Sequence, residues 1–249
     1  MPDVIEIPDR GYRFAPYAFQ YSSGLAALPG WRIERVRFTR PVPLDQGFRL
    51  ISEMLRGEGV PLTAFCACEL RSPAPFTDQG FLDFNKRYAA VLGEWGVPVN
   101  GQNPVTRSNV CPDIAPPPEP SFYAFSYVRP ASGAPPSFTV SGSGESVDGA
   151  GSYAERTVAY RDVSPDGMRK KAEQVMRVIE ARMAGIGFSW RDVTGTQVYT
   201  VYDITPFLPD LFVARGAAAH GVTWHHARPP VVDLEFEVDA RGVGIERVV

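Results

Sequence analysis

Residues 17–21, "YAFQY", and 123–127, "YAFSY", read almost alike. Each opens on a tyrosine, alternates large with small side chains, and leads toward a Ser/Gly-containing piece and another apolar segment. Alternation of this kind predicts a half-buried strand. Its recurrence on either side of the middle of the chain suggests that one folding unit is used twice.

The segments that follow each stretch support that reading. After the first come a strand-like run, "WRIERVRFTR" (31–40), and a helix in "GFRLISEMLRGEG" (47–59), with Phe48, Ile51 and Leu55 at helical spacing. A short strand, "TAFCACEL" (63–70), precedes a second helix in 80–96 that aligns Phe81, Phe84, Tyr88, Leu92 and Trp95 on one face. "NPVTRSNV" (103–110) is extended. After the second stretch come the strand "SFTVSGSGE" (137–145), read as ending in a Gly-rich bend, and a long helix over 166–187. Met168, Ala172, Val175, Ile179 and Met183 form that helix's apolar stripe. A β-branched strand over 194–203, a shorter helix near 207–219, and the runs "VTWHHA" (222–227) and "VVDLEFEVDA" (231–240) complete the order. Between the halves, "CPDIAPPPEP" (111–120) holds five prolines in ten residues, which favours an extended connector. The expected organisation is α+β: a unit over 1–111, a linker over 112–120 and a second unit over 121–249. Each unit is a β-sheet covered by two helices on one face.

Composition narrows the function. The formal charge of −3, with no basic run, argues against a nucleic-acid surface. No window approaches the ~20 apolar residues of a membrane span, and "MPDVIEIPDRGYRF" has no apolar core of signal-peptide length. Three cysteines do not make a disulfide framework and suit a reducing cytoplasm, the expected location.

The second half resembles the RidA/YjgF family of enamine/imine deaminases. The resemblance rests on the opening strand "FYAFSYV", on "VSGSGE", on the helix ending "AGIGFSWRDV", on "TQVYTVYD" and on the acidic strand "LEFEVDA". The first half resembles it more distantly, through "APYAFQY" and "NPVTRSNV". The resemblance implies chorismate-mutase-like α+β units that close in threes, with sites in clefts between neighbours. Two units per chain then make a homotrimer the simplest closed assembly. Chorismatases, which also resemble RidA, provide the larger-substrate comparison.

Site residues follow from both sources. The resemblance makes Arg107 the anchor for a substrate carboxylate, a task suited to a planar, bidentate guanidinium. Asn109 stands where many members carry Cys. The second half has no matching Arg; His220 or Gly221 falls near that position, and His220 is the expected substrate contact. In the last strand, period two places Asp233, Glu235, Glu237 and Asp239 on one sheet face, where crowding and desolvation raise carboxyl pKa values. The resemblance selects Glu235 as the catalytic acid and makes Glu237 the more exposed of the two. Ser141 and Gly142 are expected to present backbone N–H groups to substrate, and Tyr123 to wall the pocket, with Tyr17 the more ordinary packed aromatic. His225 and His226 are adjacent and point to opposite faces of a strand, which argues against a metal site. No metal or cofactor is expected. The implied activity is hydrolytic deamination of a small 2-imino or 2-enamino acid to a 2-keto acid and ammonia. Two alternatives stand beside it: a hydrolase of a larger unsaturated carboxylate, aminomuconate-type or chorismatase-like, and a non-catalytic binder of a small carboxylate.

Overall fold

Strand pairing crosses the middle of the chain. The computed structural model describes residues 3–249 and contains two sheets, with strands numbered along the chain. The seven-stranded sheet runs β1 (Ile5–Ile7), β2 (Tyr12–Ala15), β3 (Gly24–Ala27), β8 (Phe138–Gly144), β12 (Glu237–Gly242), β9 (Gly195–Tyr199), β10 (Val222–His225). The six-stranded sheet runs β11 (Ala227–Arg228), β6 (Thr106–Pro112), β5 (Phe65–Arg71), β7 (Ser121–Pro130), β4 (Trp31–Pro43), β13 (Glu246–Val248).

Helices cover the outer faces. α1 (Leu44–Gly57) and α2 (Asp78–Glu94) bury Phe48, Ile51, Leu55, Phe81, Phe84, Tyr88 and Leu92 in one core with Phe65, Leu70, Phe122 and Phe125 of the six-stranded sheet. A one-turn helix, α3 (Tyr153–Arg156), lies in the loop after β8. α4 (Pro165–Gly185) buries Met168, Ala172, Val175, Ile179 and Met183 against Val140, Val198 and Val238 of the seven-stranded sheet. Burial of such side chains stabilises by roughly 1.5–3 kcal/mol each, so the helical spacing read from the sequence is the main adhesive of both layers. α4 begins where Ser164 caps the Gly167 N–H and Pro165 takes the first helical position. The opposite faces of the sheets meet each other through Tyr12, Phe14, Leu25, Ile33, Cys66 and Val128. Polar contacts cross the same gap, among them Thr106 Oγ1 to Thr139 Oγ1 at 2.7 Å.

Two expectations need correction. "YAFQY" is not a strand: between β2 and β3 it makes a single bridge, Ala18 to Tyr21. "YAFSY" is a strand, β7, but it lies between β5 and β4 of the sheet built by the first half. The proline-rich stretch therefore joins β6 to β7 within one sheet, and the division at 112–120 does not separate the sheets. β1–β3 in turn pair with strands of the second half, β3 against β8. Alternating residues specify a strand locally; they do not specify its partner.

A repeat of connectivity is nonetheless present, in a different register. The series β4, α1, β5, α2, β6, β7 has the spatial order β6-β5-β7-β4, and the series β8, α4, β9, a wide helical turn (Pro209–Val213), β10, β12 has the order β10-β9-β12-β8. β5–β6 and β9–β10 are parallel, while β7 and β12 run antiparallel to both neighbours. "YAFSY" thus corresponds to the acidic strand β12.

The row of four acids is also broken. β12 begins at Glu237, and Asp233 sits in a turn with φ 67°, bonded to Tyr160 and Arg161. Only Glu237 and Asp239 share the strand.

Candidate active site

A cleft of about 90 Å³ opens where the edge of one sheet faces the other. From the six-stranded sheet, β6 contributes Arg107 and Asn109. From the seven-stranded sheet come Gly142, Ser143 and Gly144 of β8 and Glu237 of β12. Tyr17 and Tyr21 enter from the segment between β2 and β3, Arg182 from α4, and Ser146, Asp148, Tyr153 and Arg156 from the loop that follows β8.

Backbone and side-chain bonds fix the two arginines. The N–H of Arg107 donates to Ser141 Oγ at 2.9 Å, and Ser141 in turn donates to the Ser22 carbonyl at 2.6 Å, which ties β6 to β8. The Arg107 guanidinium donates through Nη2 to Asn85 Oδ1 at 2.7 Å, whereas its buried Nη1 has no partner. Tyr88 lies 4.9 Å from it and Tyr21 5.4 Å, as ring-face contacts. Among the described residues no carboxylate pairs with Arg107, although the residue is 96% buried (4% exposed). A buried cation without an anion is costly, so the site is complementary to an anionic ligand. Arg182 donates from Nη1 to the carbonyls of Ser141 (2.8 Å) and Gly142 (2.7 Å) and stands 5.2 Å from the Tyr17 ring. Tyr17 and Tyr21 are themselves stacked at 5.5 Å. The result is a ladder, Arg107–Tyr21–Tyr17–Arg182, with a guanidinium at each end of an aromatic floor.

Glu237 is the buried carboxyl of the cleft. Burial raises its pKa, the neighbouring Asp239 carboxylate raises it further, and Arg182 and Arg107 oppose the shift; it is pushed up to about 8. Asp239 is held by Tyr199 Oη (2.8 Å) and Gln197 Nε2 (2.9 Å), and its pKa is raised as well, first by burial. At neutral pH Glu237 carries its proton into a cleft that is also lined by three arginines, Arg107, Arg156 and Arg182.

The structure brings together some of the residues singled out from sequence and separates others. Arg107 and Gly142 line the cleft. Ser141 lies behind it, fully buried, as the strut under Arg107. β8 continues as a strand through Ser141–Gly144, and the expected bend is a bulge within it: its register against β12 shifts at Ser141–Gly142, where two residues oppose Asp239. Glu235 is not in the cleft lining: its carboxylate accepts from Arg228 Nη1 at 2.6 Å, and its N–H donates to Glu145 at 2.7 Å. Glu237, expected to be the more exposed, is the buried one. Tyr123 faces away from the cleft, with Arg71 4.1 Å over its ring and His225 6.1 Å from it edge-on. His220 is exposed in a turn. His225 stacks on Tyr199 at 5.0 Å, and burial followed by Arg71 lowers its pKa to about 4. His226 lies 3.5 Å from Asp113. Among the described residues no group of three or more His, Cys, Asp or Glu is placed to hold a metal ion, and no helix is long and apolar enough to cross a membrane.

Reading the sequence named Glu237 but ranked it behind Glu235, did not single out Tyr21, Arg182 or Asn85, and undervalued Tyr17. One signal was available. Arg182 falls seven positions after Val175 and three after Ile179, on the buried stripe of α4. A charge on an apolar stripe needs a local reason.

Fold and cleft define an α+β protein with an acid-bearing, cation-ended cleft between two sheets. The chain belongs to the CnbZ family, described as 2-aminomuconate deaminase CnbZ, whose model matches residues 4–247. It is 46% identical over 250 residues to a 2-amino-5-chloromuconate deaminase of Comamonas testosteroni, covering 100% of both chains. Among solved structures it is similar to a chorismatase (14% identity, 97% of this chain and 89% of that one, TM-score 0.48). It is also similar to the YjgF gene product of E. coli (19% identity, 43% of this chain and 80% of that one, TM-score 0.31).

Proposed function

We propose that this protein hydrolyses the C–N bond of an aminomuconate-type substrate, a planar 2-amino-2,4-dienedioate, releasing ammonia and a 2-oxo dicarboxylate. The single observation that carries this is the ladder with Arg107 and Arg182 at its ends and Glu237 in the same cleft. A conjugated dicarboxylate lies flat on Tyr17 and Tyr21 with a guanidinium for each carboxylate. A small imino acid would leave one end of the ladder, Arg107 or Arg182, unmatched. Family membership supports the larger substrate over the small imine read first from the sequence.

The chemistry follows from charge. Neutral Glu237 donates its proton to a carbon of the dienamine, converting it to an iminium. Arg107 and Arg182 hold the plane of the substrate during that transfer. Water adds to the C=N carbon, the Glu237 carboxylate takes a proton from it, and the amine leaves as ammonia when the carbonyl forms. The step consumes one water and needs no oxidant or reductant. A positioned acid/base of this kind typically contributes about 10²–10⁴-fold.

We further infer that the two matching series of elements are tandem copies of one RidA-like module. Both contribute residues to the cleft within one chain. The expected homotrimer is a separate question, answered by sedimentation. The functional test is direct: incubate the protein with 2-aminomuconate formed in situ, follow loss of its ultraviolet band, and measure ammonia. Turnover should exceed that of a short 2-imino acid by at least about tenfold. Equal turnover of both, or an Arg107→Ala protein as active as wild type, would overturn the reading.

A further inference from the structure

Two residues along β6 from Arg107, the cleft holds a second donor without a partner. Asn109 is almost fully buried and lines the cleft. Its Oδ1 accepts a hydrogen bond from Ser72 Oγ at 2.9 Å, and Ser72, itself fully buried, is anchored by its N–H to the Val110 carbonyl at 2.8 Å. Asn109 Nδ2 bonds to nothing, and Arg107 Nη1 is in the same condition. Residues two apart on a strand project to the same face, roughly 6–7 Å apart along the backbone. A buried amide donor left unmade costs on the order of 1–3 kcal/mol. Two such donors on one face therefore make a site complementary to a ligand that brings acceptors, with Asn109 Oδ1 already engaged by Ser72.

We propose that Asn109, locked by Ser72, is a substrate-binding residue that reads one carboxylate of the substrate together with Arg107, and that this pair selects a carboxylate over a carboxamide. The inference deepens the dicarboxylate reading of the cleft and rests on it. Arg107 alone attracts any anion and tolerates a neutral carbonyl. Adding an amide whose only free atoms are N–H groups makes the wall donor-only. A carboxylate offers acceptors to both donors. A carboxamide offers one acceptor and one NH₂, and the NH₂ meets a donor it has no means to satisfy. The Ser72 hydroxyl matters because it fixes which end of the Asn109 amide faces the cleft; without it, rotation about the terminal bond brings Oδ1 inward and the selection is lost.

The test uses hexa-2,4-dienedioate, the same skeleton without the amino group, and its monoamide, titrated by calorimetry against the intact protein. Wild type should bind the diacid at least about tenfold more tightly than the monoamide. Asn109→Asp, which places a carboxylate against a carboxylate, should weaken diacid binding by about 10- to 100-fold, the equivalent of one charge-assisted hydrogen bond. Ser72→Ala should keep the circular dichroism spectrum and weaken the diacid only a fewfold. Its signature is a ratio of diacid to monoamide affinity that falls toward one, because a merely structural defect would weaken both ligands alike. If Arg107→Ala abolishes diacid binding while Asn109→Asp binds like wild type, or if Ser72→Ala keeps the wild-type ratio, the role of Asn109 is refuted and the dicarboxylate reading survives. If wild type does not bind the diacid at all, the dicarboxylate reading falls first and this inference falls with it.

Discussion

Gly142 on β8 lies directly against Glu237 on β12: a β-carbon at position 142 would stand 2.3 Å from Glu237 Oε1 and 3.1 Å from Ser108 Cβ. The glycine is there for close approach, since its φ lies outside the left-handed region in which glycine alone is comfortable. Gly142→Ala should therefore fold, with an unchanged circular dichroism spectrum, because the backbone accepts alanine, the Glu237 carboxyl must move aside and Ser108 need give by only a few tenths of an ångström. Displacing a general acid by about an ångström costs on the order of 10²-fold. We expect kcat to fall by about that factor with KM within threefold. An alanine variant with wild-type kcat would remove Glu237 from the mechanism.

Glu237 also sets a pH dependence with a definite sign. A carboxyl whose pKa is pushed up to about 8 is protonated in neutral solution, so kcat should hold through pH 7 and decline above pH 8. Asp239→Asn removes the like charge beside it, so the midpoint of that decline should move downward. The same shift acts on stability. The folded state holds this proton more tightly than the unfolded chain does, so the contribution is full below the unfolded value near 4.5 and is lost as pH rises through 8. Rate profiles of both proteins decide the matter. A wild-type profile flat from pH 6 to 10 would show that no proton on this group is used.

How much of this could be read in the sequence depends on which interactions were local. Helical stripes were legible because Phe48, Ile51 and Leu55, or Met168, Val175 and Ile179, announce burial at fixed spacing. Arg107 was legible through its setting in "NPVTRSNV". The pairing of "YAFQY" with "YAFSY" failed because the strand that closes each series inserts between two earlier strands. The counterpart of "YAFSY" in the connectivity is β12, "EVDARG" (237–242), which carries none of its aromatic residues. Glu235 was preferred to Glu237 by motif position, and nothing local reports that the chain before Glu237 leaves the sheet to reach Arg228 and Glu145. The cation-ended ladder combines β6, α4 and the β2–β3 connection, a juxtaposition that only tertiary packing creates.

Tyrosines divide into two groups that a substitution series should separate. Tyr17 and Tyr21 form the cleft floor, while Tyr123 packs on Arg71 on the other side of the six-stranded sheet's inner face. Tyr123→Phe keeps the ring and removes a hydroxyl outside the cleft, so kcat/KM should stay within about twofold; His220→Ala, at an exposed turn, should do the same. Tyr21→Leu removes a stacked ring worth about 0.5–1.5 kcal/mol beyond its area, so KM should rise about three- to tenfold. Steady-state kinetics on the three variants check this, and a large loss in the Tyr123→Phe protein would relocate the site.

Lys171 and Glu145 form an ion pair at 3.1 Å with both side chains fully buried. Lys171 also donates to the Val158 carbonyl at 3.2 Å, so one ammonium holds both ends of the loop that carries Ser146, Asp148, Tyr153 and Arg156 to the cleft. Glu145 meanwhile accepts the N–H groups of Glu235 (2.7 Å) and Phe236 (3.2 Å), which leads the chain into Glu237. Lys171→Met would strand a buried carboxylate and should destabilise by about 3–5 kcal/mol. Adding Glu145→Gln to it should recover part of that loss, because a neutral amide still accepts the two N–H groups and leaves no unpaired charge. Urea midpoints at constant m-value measure both effects. Equal destabilisation of the single and double variants would mean that the carboxylate was not the stranded group, and that Lys171 acts only through its packing and the Val158 carbonyl.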